Sequence, residues 1–377
     1  MRLRRTLLAG ASLLPLLACA CGGAPWGSGD GSATTVGLRD TVSVSFVRTE
    51  LVLSAGSALS PSGEAVVAPR GGDWCLEPIG GEDEPICVEA DVTDATDPVA
   101  WRPDERAIVA TDRNHGTAAI IDFGDGTATT IDLTRRHIWD WAPNGTELVG
   151  ISADTPDAVV ALRSDPEGTG DGELSAFPLA ELPAASIPQA RWGPGGRVWM
   201  TDGERSSVHV LETADDDLTT IGVGRASQRI LDLSADGAVA LTRDVGLVDR
   251  EGNAIDSDQL YVVDAREARS VSLPALDFDP DDGHPGDVQG ARISDDGDAV
   301  AAIVFEHDLG EVFLAVAPID RDGLRVGDWV EVTRWSTDDA VVPISYWSSG
   351  DSIVWNGGPA RLLTTGGMIE VTFTPDP

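Results

Sequence analysis

The sequence predicts an all-β fold, a seven-bladed β-propeller of four-stranded antiparallel blades, preceded by an N-terminal leader and a flexible tether. Three observations carry this prediction. One short phrase recurs seven times at a spacing close to one blade. Each copy is followed by short Val-, Ile- and Ala-rich runs with strand character, and no stretch sustains a helical period.

The phrase is a bulky apolar residue, two loosely defined positions that often include Pro, then Asp, Asn or Ser with Gly, then an apolar strand. Copies begin at Leu59, Trp101, Trp141, Trp192, Leu233, Ile293 and Tyr346, as in Leu-Ser-Pro-Ser-Gly, Trp-Ala-Pro-Asn-Gly and Ile-Ser-Asp-Asp-Gly. The starts are separated by 42, 40, 51, 41, 60 and 53 residues. A propeller blade takes about 40–45 residues, so the longer gaps hold insertions. Asn-Gly or Asp-Gly after Pro supplies the positive backbone angles of a tight turn. Third strands are predicted at 117–122, 207–212 and 259–264, and fourth strands at 128–133 and 217–223. Sheets arranged radially bury both faces against their neighbours and leave only short edges. The copy at Trp101 departs from the phrase, with Glu105 in the place of Gly.

Two segments are left for ring closure. Residues 41–48, Thr-Val-Ser-Val-Ser-Phe-Val-Arg, alternate and belong to no repeat, and the chain ends in a strong strand over 368–374. These two are expected to pair, so that the N-terminal strand completes the last blade. The phrase resembles the WD-repeat-like blades of the TolB propeller family and of peptidase-associated propellers, from Leu59 to the C-terminus. The resemblance implies the fold. It says little of function, because this blade hosts unrelated roles.

The N-terminus addresses the chain. Met-Arg-Leu-Arg-Arg, an apolar run from Leu7 to Leu17 and Ala18-Cys19 make an export signal whose apolar run is too short to span a bilayer. Leu16-Leu17-Ala18-Cys19 resembles a bacterial lipobox. The resemblance implies that Cys19 becomes the mature N-terminus and carries lipid through its thiol. Arg4-Arg5-Thr6-Leu7-Leu8 is similar to a twin-arginine signal and equally to an ordinary basic start. The organisation is therefore a signal peptide over 1–18, a Gly/Ser-rich tether over 19–40 and a propeller over 41–377. No later segment is apolar enough to cross a bilayer. The expected location is the extracytoplasmic face of the cell membrane, with the membrane met through the lipid alone.

Cys75 and Cys87 flank a Gly-Gly turn that includes Gly81. A hairpin folded there sets the two thiols opposite each other, and export permits oxidation, so a disulfide is expected. The spacing matches neither a Cys-x-x-Cys redox motif nor a tetrahedral zinc site.

The charge balance is strongly acidic, with 63 Asp and Glu against 26 basic residues, all of them Arg, for a net charge of -37. This argues against nucleic acid as a partner and against anionic lipid bound by a basic patch. Solubility, especially at high ionic strength, is the larger part of its meaning, and a surface for basic partners or divalent cations is the other reading. No Gly-x-Ser-x-Gly elbow, phosphate loop or His-Glu-x-x-His pattern is present, and the five His fall in different repeats. No catalytic, cofactor or metal residue is therefore assigned. The run Asp277-Phe-Asp279-Pro-Asp281-Asp282-Gly283 places Asp282 and Val288 where a calcium-binding EF-hand loop needs Gly and Glu. It reads as a solvated acidic insertion, with an irregular Ca²⁺ site as the alternative.

One charge pattern is more specific. The residue before each phrase is Ala58, Ala100, Asp140, Arg191, Asp232, Arg292 and Ser345. Four successive blades thus alternate in sign near the central channel. Buried charges survive when paired, so these four are expected to form an inter-blade ion-pair chain, or else a polar lining that binds a small ligand. The function expected overall is binding or scaffolding at the cell envelope, by a monomer with a protein or small-ligand partner. The alternative is a metal-dependent lactonase- or lyase-like propeller enzyme with its site at the channel mouth.

Overall fold

The computed structural model describes the chain from Val42 to Thr372. Residues 1–41 and 373–377 lie outside the description, as do 49–52, 54–55, 81–83, 93–98, 113–114, 133–135, 153–154, 165–173, 181–188, 204, 225–226, 246, 249–253, 256–258, 276–286, 307–308, 337–352, 356–358 and 365–366. The expected signal peptide, Cys19, the tether, the acidic run after Asp277 and the phrase at Tyr346 all fall outside it.

The described chain is an all-β propeller of seven blades. Blade 1 is built of strands Ala58–Leu59, Ala65–Arg70, Asp73–Pro78 and Ile86–Glu89, paired antiparallel in that order from the axis outward. Blades 2, 3 and 4 repeat this plan with inner strands Ala100–Trp101, Arg136–Trp141 and Ala190–Trp192. Blade 5 opens with Ser227–Leu233 and carries a small extra hairpin, Leu247–Val248 with Ala254–Ile255, between its second and third strands. Blade 6 opens with Asp287–Ile293 and pairs its long third strand, Glu311–Asp320, with both Arg325–Val326 and Val330–Ser336.

Blade 7 corrects the sequence reading in one respect. Its strands run Ile353–Val354, Ala360–Thr364, Gly367–Thr372 and, outermost, Ser43–Arg48 from the start of the chain. The inner strand is therefore Ile353–Val354, and Arg292 on the inner strand of blade 6 donates to the Ile353 carbonyl at 2.8 Å. The seventh phrase accordingly starts at Trp355, as Trp-Asn-Gly-Gly-Pro-Ala, and not at Tyr346. Its glycines precede the proline, which disguises it. The residue before it is Val354 in place of Ser345.

The expected closure is formed. Ser43–Arg48 lies antiparallel to Gly367–Thr372 with Ser43 opposite Thr372, Phe46 opposite Ile369 and Arg48 opposite Gly367. The core confirms it independently. Among the described residues, the apolar core forms seven clusters, and each spans two neighbouring blades. The cluster between blades 7 and 1 joins Leu59, Val66 and Ala68 to Val354, Leu363 and Met368. Strands such as Ala107–Asp112 are buried at every position because both faces meet a neighbour. Cys75 and Cys87 face each other across the third and fourth strands of blade 1 and are joined by a disulfide, with Cα atoms 4.0 Å apart.

The turn after the inner strand is one device repeated in blades 1, 2, 3, 5 and 6, while blade 4 turns through the short 3-10 segment Pro194–Gly196. In the repeated turn the N–H of the fifth residue donates to the carbonyl of the second, at 2.8 Å for Gly63, Glu105, Gly237 and Gly297 and 2.9 Å for Gly145. All five have positive φ, between 56° and 70°. Glycine reaches that conformation without strain, and a side chain costs about 1 kcal/mol there. Glu105 bears the strain and uses its carboxylate across the blade boundary. Its Oε1 accepts the Ser62 N–H at 2.8 Å and its Oε2 accepts the Ser62 hydroxyl at 2.6 Å. Gly63 has a second reason to lack a side chain, since a Cβ would lie 2.7 Å from Arg361, which donates to the Ser62 carbonyl at 2.8 Å. Both Glu105→Gly and Glu105→Ala lose the bonds to Ser62, but only Ala keeps a Cβ in the left-handed conformation. Denaturant unfolding is expected to show Glu105→Ala less stable than Glu105→Gly by about 1 kcal/mol.

Candidate functional site

The inner strands lead into the turns between first and second strands, so the residue before each phrase lies at one end of the central axis. Around the ring these residues are Ala58, Ala100, Asp140, Arg191, Asp232, Arg292 and Val354. Blades 3 to 6 carry charge and blades 7, 1 and 2 carry small or apolar groups.

The same arrangement is built twice. Asp140 Oδ2 lies 3.3 Å from Arg191 Nε and also accepts the Trp192 N–H at 3.2 Å, while Oδ1 accepts the Trp141 N–H at 2.9 Å. Two blades on, Asp232 Oδ1 lies 3.3 Å from Arg292 Nη1 and Oδ2 accepts the Ile293 N–H at 3.0 Å. In each case the acid of one blade holds both the guanidinium and the backbone of the next inner strand. Arg292 extends the chain by donating to the Leu231 carbonyl at 3.3 Å as well as to Ile353. The four side chains are 13% to 23% exposed, so desolvation favours these partners over water. Asp295, in the turn of blade 6, has its carboxyl pushed up by partial burial and by the negative charges of Asp232 and Asp296.

Between blades 4 and 5 one contact at the inner strands comes from a residue that sequence reasoning missed. Gln189 accepts the Ile230 N–H at 2.8 Å and donates to the Ile230 carbonyl at 3.0 Å, so one amide holds both backbone polar groups of one residue of the next blade. On the turn side, Asp236 gathers blades 5 and 6. It accepts from Arg266 at 2.8 Å and from Arg321 at 3.0 Å. Burial alone would raise this carboxyl, but the Ala238 N–H, the Ser234 hydroxyl and Arg321 outweigh it and hold it at about 2.

The opposite end of the blades carries a second set that was missed. Asp112, Asp202 and Asp244 lie at the ends of the second strands of blades 2, 4 and 5, as the last residue, the next after it and the last but one, and all three are buried. Asp112 meets His115 Nδ1 at 2.5 Å, and Asp202 lies 3.5 Å from His209 Nε2. His209 Nδ1 in turn lies 2.9 Å from the Thr220 hydroxyl. Asp244 accepts the Tyr261 hydroxyl at 3.0 Å and the Gln228 amide, and Gln228 accepts the Thr242 hydroxyl at 2.9 Å. The signal was legible as Ala-Thr-Asp112, Met-Thr-Asp202 and Thr-Arg-Asp244, each closing an apolar strand. Among the described residues, no group of three or more His, Cys, Asp and Glu is placed to hold a metal ion.

The fold has many counterparts of known structure. The chain superposes with a TM-score of 0.52 on the β-propeller domain of Cps50 (Swd1) from Myceliophthora thermophila, at 11% identity over 87% of this chain and 98% of that one. It matches selenomethionine-substituted virginiamycin B lyase from Staphylococcus aureus with a TM-score of 0.52 and 11% identity, over 88% and 99% of the two chains. The U3-55K structure gives a TM-score of 0.55 and 10% identity, over 87% and 98%. The chain is thus a WD-repeat-like propeller. No protein-family model and no curated protein sequence matches it.

If the Asp140–Arg191 contact ties blade 3 to blade 4, each partner depends on the other. A double-mutant cycle with Asp140→Ala and Arg191→Ala is expected to give a coupling of about 1–2 kcal/mol in unfolding free energy. Additive losses would contradict that role.

Proposed function

We propose that this chain is a lipid-anchored propeller on the extracytoplasmic face of the cell membrane, TolB-like in its blade phrase, which acts by binding an envelope protein or small ligand. One observation carries the binding reading. The charged residues at the inner-strand ends pair as Asp140 with Arg191 and Asp232 with Arg292, and they also bond neighbouring backbone. They hold the ring rigid and leave recognition to the loops at its two faces. A rigid ring with variable loops is suited to docking. The anchoring reading rests on Leu16-Leu17-Ala18-Cys19 and the Gly/Ser-rich segment that follows.

The test is made in the native envelope. Wild-type protein is expected in the membrane fraction with lipid on Cys19, and Cys19→Ala is expected to move it to the soluble or released fraction. A Cys19→Ala chain that stays with the membrane would contradict anchoring. Cross-linked envelopes are expected to yield a repeatable partner with the wild-type chain. Recovery of none, together with stoichiometric metal on the purified chain, would favour a lyase-like site at the channel mouth instead.

A further inference from the structure

The outer strand of blade 7 differs from the other rim strands. Six large apolar side chains stand exposed among the described residues, and three of them are Val42, Val44 and Phe46, at 38%, 50% and 45%. The others, Ile86, Leu218 and Leu309, are scattered over three blades. Val42, Val44 and Phe46 alternate along the chain and so share one face of the sheet. On that face Val44 lies opposite Val371 and Phe46 opposite Ile369, and both inner partners are buried in the core between blades 6 and 7. The apolar face therefore runs outward past its last buried row.

The rim strands of blades 2, 4, 5 and 6 are guarded by polar or charged side chains, and that of blade 3 carries Pro178. Thr127–Asp132 presents Thr127, Thr129, Thr130 and Asp132, Asp217–Gly222 begins on Asp217, Arg269–Ser272 begins on Arg269, and Val330–Ser336 carries Glu331 and Arg334. From Val42 to Val47 there is no charge, Pro or Gly. Such an edge is a template for another strand, and natural sheets usually block it.

The edge is also self-complementary. Val42-Ser43-Val44-Ser45-Phe46 reads the same in both directions at the level of apolar and hydroxyl side chains. We propose that it is a dimerisation edge, on which two copies of this chain pair antiparallel about a two-fold axis at Val44. Val44 then meets its own counterpart, Val42 meets Phe46, and Ser43 meets Ser45. The apolar row of each copy is continued by the other, and the interface is isologous, so it closes at two. A single strand pair is smaller than the ~1,600 Å² of a standard interface, so the dimer is weak in solution. On the anchored reading above, confinement to one membrane raises the local concentration. The net charge of -37 on each copy opposes pairing at low salt and is screened as ionic strength rises.

The test uses the chain with Cys19 and Cys21 changed to Ser, which separates it from anchoring. Val44→Cys places two thiols on the axis, within disulfide reach. Under mild oxidation at high salt this chain is expected to form a covalent dimer, and Leu218→Cys on the rim of blade 4 is not. Adding Phe46→Lys to Val44→Cys, or lowering the salt, is expected to abolish the dimer. Equal cross-linking of Val44→Cys and Leu218→Cys, or dimer that persists with Phe46→Lys, would overturn the proposal. Failure here leaves the lipid anchor untouched, and a soluble Cys19→Ala chain leaves this edge untouched.

Discussion

Every blade of this protein is apolar on both faces, and that is the constraint on which the rest depends. A sheet with two apolar faces needs a neighbour on each side. An open row of seven would leave two faces wet, and only a ring leaves none. The seven inter-blade clusters are the structural statement of that requirement, and the cluster joining Leu59 and Val66 to Leu363 and Met368 is the one that closes it. The strand pair between Ser43–Arg48 and Gly367–Thr372 holds the two ends of the chain where that cluster can form. Blade 7 is thus assembled from residues more than three hundred positions apart, and its completion depends on the non-local contact of highest entropic cost.

The acidic composition fits into this ring by being spent on geometry. Asp140 and Asp232 each accept backbone N–H groups from the next blade, besides meeting an arginine. Asp236 draws in arginines from two blades, and the buried Asp112, Asp202 and Asp244 serve the opposite end. Glu105 goes further, accepting a strained backbone in return for two bonds to Ser62. With only Arg as a cation, each fork reaches several acceptors at once, as Arg292 does with Asp232, Leu231 and Ile353.

Much of this was legible from residues alone, for identifiable reasons. Tight turns demand a positive backbone angle, so Asn-Gly and Asp-Gly mark the blades, and the alternation of residues 43–48 marks a strand with no repeat of its own. Tyr346-Trp-Ser-Ser-Gly imitates the phrase while Trp355-Asn-Gly-Gly-Pro permutes it, so the last copy was placed nine residues early. Gln189 and the partners of Asp244, namely Gln228, Thr242 and Tyr261, were illegible because their meaning lies in contacts across blades or between strands. A partner such as Ile230, forty-one residues from Gln189, is set by three-dimensional register and not by local pattern.

The closing register can be measured directly. Phe46 lies opposite Ile369, so the pair Phe46→Cys and Ile369→Cys is expected to form an intramolecular disulfide on mild oxidation, mapped by mass spectrometry. Val42→Cys with Ile369→Cys, four residues out of register, is expected to stay reduced. Absence of the first bridge, or equal yield of both, would contradict a ring locked by its own two ends.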